Sequence, residues 1–225
     1  MINGIRLKVC GLTSLVDAEL ADRAGADYLG FVLYAKSPRH VTLARFRAMA
    51  ARLPDRKKVA VMVEPSAAGL VEAMAAGFDF AQVHFRHDHS PAVVAAWAAA
   101  IGPGRLWLAP KLPPEADVPA ALLPLATTFL FDAFHAEKFG GSAQTADWTK
   151  FRHHREAHPE KTWILAGGLN PENITVALKA TGARHVDVNS GIEASPGVKD
   201  PARLATFVAH LAASRLGSPM GGPGR

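Results

Sequence analysis

Eight short runs of apolar and β-branched residues recur along the chain, at 7–9, 28–33, 58–63, 80–84, 106–110, 128–132, 162–166 and 185–188. Ala-rich stretches of helical character separate them, and their starts are roughly 20 to 30 residues apart, the length of one strand–helix unit. The runs are continuously apolar rather than alternating, which suits strands buried on both faces of a parallel sheet. An α/β chain of 225 residues built this way is expected to close as one (β/α)8 barrel, the TIM-barrel architecture, over residues 1–216.

Capping signals stand where such a scheme needs them. Ser14 precedes Leu15, Ala18 and Leu20, with Asp17 in the first turn, and Thr42 is placed to start a helix running to Arg52, closed by Leu53-Pro54. Asn170-Pro171-Glu172 reads as a cap followed by proline at the first helical position. Gly25, Gly77 and Gly182 each follow a helical segment. The Gly- and Pro-rich stretch 217–225 is expected to be a disordered tail.

Composition excludes several roles. The first residues show no apolar run after a basic head, and no stretch approaches the ~18 uninterrupted apolar residues of a membrane span. Cys10 is the single cysteine, so an internal disulfide or a thiolate metal cluster is impossible and a reducing, cytoplasmic setting is expected. The formal charge is +5 but the cations are scattered, with no basic stripe interleaved with aromatics, so nucleic acid is not an expected partner. The densest basic group, His153-His154-Arg155, reads as a solvated helix face.

In a barrel of this kind the active site forms at the carboxyl ends of the strands. The polar residues that fall there are Cys10, Arg39, His84, Asp132, Gly167-Gly168 and, after the last strand, Asp187 and Ser190-Gly191. Glycines let backbone N–H groups approach phosphate oxygens, and the loops after strands seven and eight are the usual phosphate grip of the architecture. Their plainer reading is tight turns; the two pairs together favour phosphate. Cys10 is either a core thiol or a base, and as a base it needs cations nearby to raise its thiolate fraction. Asp132 is either capped by backbone donors or an acid of raised pKa. Arg39 is a surface charge or a planar fork for a substrate carboxylate, and His84 could equally be a satisfied buried histidine.

Lys8-Val9-Cys10-Gly11-Leu12-Thr13, Lys36-Ser37-Pro38-Arg39-His40-Val41, Gln82-Val83-His84, Leu165-Ala166-Gly167-Gly168-Leu169-Asn170-Pro171, Val186-Asp187-Val188-Asn189-Ser190-Gly191 and Ser195-Pro196-Gly197-Val198-Lys199-Asp200 resemble, in order, the motifs of the phosphoribosylanthranilate isomerases of tryptophan biosynthesis. The resemblance implies an Amadori rearrangement of N-(5-phosphoribosyl)anthranilate to 1-(2-carboxyphenylamino)-1-deoxyribulose 5-phosphate. It implies Cys10 as base, Asp132 as acid, Arg39 on the anthranilate carboxylate, and His84 and Asp187 near the substrate. It also implies no metal or organic cofactor, since the substrate nitrogen is the electron sink, and a monomer or homodimer acting on a sugar phosphate.

The chain departs from that pattern at Gly140-Gly141-Ser142-Ala143, where one glycine is lost, and at the spacer Phe134-His135-Ala136-Glu137-Lys138. Further departures are Phe85, which stands where a glycine is usual, and Met62-Val63-Glu64. These put rate and substrate fit in question more than reaction class. Two alternatives follow. One is an isomerase drifted to another aminated sugar phosphate, such as that of the histidine pathway, whose two expected aspartates Cys10 argues against. The other is a phosphate-binding barrel without catalysis, against which the surviving thiol–carboxyl pair argues.

Overall fold

The computed structural model describes residues 1–133 and 146–214, and the expected tail, the spacer and the altered glycine loop lie outside these residues. Eight parallel strands close a barrel in sequence order: β1 (Arg6–Val9), β2 (Tyr28–Val32), β3 (Lys57–Val63), β4 (Phe80–Arg86), β5 (Leu106–Lys111), β6 (Thr128–Phe131), β7 (Thr162–Leu165) and β8 (His185–Val188). Closure is made by β1 against β8, with Lys8 opposite Asp187 and Arg6 opposite His185. Around it lie α1 (Leu15–Arg23), α2 (Leu43–Ala50), α3 (Ala67–Ala75), α4 (Pro91–Ile101), α5 (Trp148–Ala157), α6 (Ile174–Thr181) and α7 (Pro201–Ala213). Between β5 and β6 a 3-10 turn, Ala120–Leu125, replaces the expected α-helix. Pro119 and Pro124 flank and interrupt that stretch, and neither has an N–H to donate.

Local chemistry sets most helix starts. The side-chain oxygens of Ser14, Thr42, Ser66 and Asp147 accept from the amides of Asp17, Arg45, Gly69 and Lys150 at 2.9–3.1 Å, bonds worth about 1 kcal/mol each. Helix α2 stops at Ala50, two residues short of the expected Arg52. The segment read as a cap at Asn170 differs more. Asn170 and Asn173 exchange side-chain-to-backbone bonds at 2.9 and 3.0 Å, which fold Pro171–Asn173 into a turn, and α6 begins only at Ile174. Mutual Asx bonding outcompetes the helical hydrogen bonds over those residues.

Strand periodicity divides the core in two. Leu7, Val9, Phe31, Val83 and Val186 point outward into the layer under the helices. Val59, Trp107, Ala109, Leu130, Ile164 and Ala166 point inward and fill the barrel. At the amino-terminal end this interior is aromatic: Tyr28 lies 5.1 Å from Trp107 and 6.0 Å from Phe80, with T-shaped geometry in both pairs. Toward the carboxyl end the inward residues turn polar, through Lys8, Gln82 and Asp187. Gly30 is what admits Lys8. A Cβ at Gly30 would come within 2.9 Å of the Lys8 ammonium nitrogen and 3.1 Å of the Cys10 Cα.

Two expectations change here. His154 is buried rather than solvated, its ring stacked on Trp163 at 5.4 Å, while His153 is exposed. Phe85 points away from the barrel interior and packs edge-on to Trp97 at 5.5 Å, so it belongs to the helix layer and does not narrow the substrate space.

Candidate active site

A cavity of about 470 Å³ opens at the carboxyl ends of the strands. Its wall contains Cys10, Arg39, His84, Asp132, Gly167, Gly168, Asp187 and Ser190, and also Gln82 and Asn189. Eight of the nine residues singled out from sequence therefore meet at one mouth. Gly191 follows Ser190 just outside that wall, and a Cβ there would run into the Leu169 carbonyl and Asn170, so its bareness permits close packing against the loop after β7. Gly167 has φ +80°, and a Cβ would strike the Ala133 amide and sit 3.0 Å from the Asp132 carboxyl. Only glycine lets this loop pass so close to the acid.

Lys8 is one residue whose part in the site the sequence reading missed. It is fully buried two residues before Cys10, so strand alternation puts both side chains inside the barrel. Its ammonium lies 3.0 Å from the Asp187 carboxylate. Burial alone would lower its pKa, but the Asp187 carboxylate beside it outweighs that, so Lys8 stays a cation. Breaking such a pair from one side costs far more than the pair contributes, because the remaining charge is left buried alone.

Cys10 is 4% exposed, at the floor of the cavity. Burial pushes its thiol above the ordinary range, while Lys8 and Lys199 pull it down and Asp187 pushes it further up. The cations expected beside it are present, yet burial wins and the resting group is a thiol. Desolvation likewise lifts Asp132 to about 6, against the pull of the Ala133 amide, which donates to it at 2.8 Å. His84 is driven down to about 4 by burial and then by Lys8, and is neutral at physiological pH. Its Nε2 accepts from the Gln82 side-chain amide at 2.8 Å, which leaves Gln82 Oε1, buried in the same wall, with no partner among the described residues.

Arg39 is not free. Its Nε and Nη2 grip Glu193 at 2.9 and 2.6 Å, and that contact with Glu193 is what raises the guanidinium pKa. Glu193 comes from a hairpin after β8, formed by β9 (Glu193–Ser195) and β10 (Val198–Lys199), in which Lys199 stands opposite Glu193. The Lys199 ammonium donates to Glu193 Oε1 and to Asn189 Oδ1, both at 2.9 Å. One edge of the Arg39 fork is thus occupied, whereas Nη1 makes no bond among the described residues. A guanidinium has five donors, so the Nη1–Nη2 edge can still take a second carboxylate end-on. Nothing local flagged this network, because Arg39 and Glu193 are 154 residues apart in sequence.

Fold and cavity together define a (β/α)8-barrel enzyme whose thiol, carboxyl and amide-rich loops face one small-molecule site. Comparison narrows this. The family described as N-(5'-phosphoribosyl)anthranilate (PRA) isomerase matches residues 7–210. The N-(5'-phosphoribosyl)anthranilate isomerase of Neisseria gonorrhoeae is 36% identical over 91% of this chain and 95% of the relative. The crystal structure of phosphoribosyl anthranilate isomerase from Thermotoga maritima superposes with a TM-score of 0.77 at 30% identity, covering 92% of this chain and 98% of that one. A phosphoribosyl anthranilate isomerase in complex with reduced 1-(o-carboxyphenylamino)-1-deoxyribulose 5-phosphate gives a TM-score of 0.74 at 29% identity, over 92% and 98%. The chain belongs to the phosphoribosylanthranilate isomerase family of tryptophan biosynthesis, and it is an isomerase.

Proposed function

We propose that this chain converts N-(5'-phosphoribosyl)anthranilate to 1-(2-carboxyphenylamino)-1-deoxyribulose 5-phosphate, with Asp132 as general acid and Cys10 as general base. The supporting observation is that an uplifted carboxyl and a thiol flanked by two lysines share one cavity wall with the Gly167-Gly168 loop. Asp132 protonates the furanose ring oxygen, the C1–O bond breaks, and the nitrogen lone pair forms a C=N bond to C1. The Cys10 thiolate then removes the C2 proton, and the electron pair moves through C1 to the iminium nitrogen, giving an enolamine that tautomerises to the ketone. The backbone amides of Gly167 and Gly168 and the Ser190 hydroxyl would hold the phosphate, and the open Arg39 edge, set in place by Glu193, would hold the anthranilate carboxylate. Lys8 holds negative charge on the sulfur during proton transfer, Asp187 fixes Lys8, and Gln82 Oε1 is placed to accept a bond from a sugar hydroxyl.

A pH 7 site with a resting thiol and a largely ionised Asp132 carries its proton on the less productive partner. The working form differs only by moving one proton from sulfur to carboxyl, so it is a minor tautomer at every pH between the two titrations. The direct test is to mix the purified protein with freshly made phosphoribosylanthranilate and follow the anthranilate-type fluorescence. Loss much faster than spontaneous decay is expected; loss at the spontaneous rate would overturn the assignment.

A further inference from the structure

The amino-terminal end of the barrel, opposite the cavity above, contains a second cavity of about 430 Å³. Met1, Arg6, Arg155, Lys161, Arg184 and His185 contribute to its wall, and among the described residues no aspartate or glutamate does. The Met1 amine is neutralised by Asp27 at 2.7 Å, and Lys161 donates to the Ala126 carbonyl at 3.2 Å. Among the described residues Arg155 reaches only the exposed Glu156, at 3.5 Å, and its buried Nε has no partner. Arg6 and Arg184 make no side-chain hydrogen bond or ion pair among the described residues.

His185 lines this cavity from its buried side. It is 3% exposed, and neither ring nitrogen has a hydrogen-bond partner among the described residues. Its ring is fixed by stacking on Tyr28 at 4.9 Å and by an edge contact with Trp107 at 5.6 Å. Buried polar atoms are rarely left unpaired, and two on one rigid ring beside uncompensated guanidinium groups call for a ligand with oxygen atoms and negative charge. The β1–β8 register places Arg6 directly opposite His185, and Arg184 precedes it in the chain.

We propose that this amino-terminal cavity binds a small multivalent oxyanion of phosphate or polycarboxylate chemistry, with Arg6 and Arg184 supplying the charge and His185 a directed hydrogen bond. Desolvation holds the His185 ring neutral, so it presents one N–H donor and one acceptor nitrogen. An oxyanion can accept from the ring's N–H, which is the single directed bond the site needs beside the guanidinium charges. The guanidinium groups are the usual planar partners of such anions.

The test uses the full chain labelled with 15N-histidine, with the His185 ring signals identified by their loss in His185→Phe. Inorganic phosphate, and separately citrate, is titrated at fixed ionic strength. Saturable movement of the His185 signals is expected, with the midpoint raised at least tenfold in the double variant Arg6→Ala, Arg184→Ala. Because both arginines are exposed, the variant should fold; Arg184→Ala alone provides the reading if it does not. Saturation by phosphate alone or by citrate alone assigns the chemistry, and either supports the site. His84 reports the opposite mouth in the same spectrum, so a failure at one end is read separately from the other. Signals that do not saturate, or that saturate equally in the arginine variants, overturn the proposal. So do signals that follow protein concentration rather than anion, which would mean that a second copy covers the cavity.

Discussion

The two mouths of this barrel are both rich in cations, and they handle charge in opposite ways. At the carboxyl-terminal mouth the cations Lys8, Arg39 and Lys199 are tied to Asp187, Glu193 and Asn189 within 2.6–3.0 Å. At the amino-terminal mouth, among the described residues, Arg6 and Arg184 stand without such partners, next to a histidine whose nitrogens are unsatisfied. The first arrangement holds Lys8, Arg39 and Lys199 in one place before a substrate arrives, which is what general acid–base chemistry needs, while Lys36 stands exposed at the rim. The second leaves its field uncompensated, which suits binding of a charged ligand but gives no group a defined proton to transfer. Positive charge at a barrel end therefore says little about catalysis until the anionic partners are known.

The contrast can be broken most sharply at Asp132. Asp132→Asn keeps the shape of the wall and removes the transferable proton, and kcat should fall about 10²- to 10⁴-fold. The affinity for reduced 1-(o-carboxyphenylamino)-1-deoxyribulose 5-phosphate should stay within a few-fold, measured by titration calorimetry. Retained turnover would move Asp132 out of the reaction. Next in size is Lys8→Met, which leaves the Asp187 carboxyl buried without its partner. Unfolding free energy should drop by about 3–5 kcal/mol in a urea titration, and Lys8→Met combined with Asp187→Leu should recover much of it. Phe80→Leu, in the aromatic layer at the other end, is the counterpart, with a volume change expected to cost about 1–2 kcal/mol. Equal losses at the two positions would remove the distinction drawn between them.

A smaller, graded effect lies in pH. The working form of the pair carries one proton in total. Below about 6 the Asp132 carboxyl fills and no base remains, so kcat/KM should fall tenfold per unit as pH drops. Burial raises the Cys10 thiol, so the descending limb, where the last proton is lost, should appear only above the ordinary thiol range. A rate that instead declines steadily from pH 6 to 8 would mean that the thiolate forms independently of Asp132.

Much of this site was legible before any coordinates. Strand order, the single closed barrel and the meeting of Cys10, Asp132 and the Gly167-Gly168 loop follow from which residues end each apolar run, and that is local information. At Gly191 a bare glycine signals close approach without saying to what; here a Cβ would meet the Leu169 carbonyl. The late start of α6 is not legible locally because Asn170 and Asn173 each satisfy the other's amide, an exchange that competes with capping over the same few residues.

By itself, then, the sequence determined the alternation of strands and helices and the list of groups at each strand end, while the face each strand residue takes, outward for Phe85 and inward for Lys8, came from the structure. The alternation and the strand ends depend on periods of two and 3.6 residues and on short-range turn chemistry. Charge pairing and protonation were decided only in three dimensions. Lys8 meets Asp187 across 179 residues of chain because β8 closes on β1, and the same closure sets Arg6 beside His185. Whether a thiol rests protonated, or an arginine is engaged, depends on which charges stand within a few ångströms and on how much water is shut out, and neither is written in any local stretch of sequence.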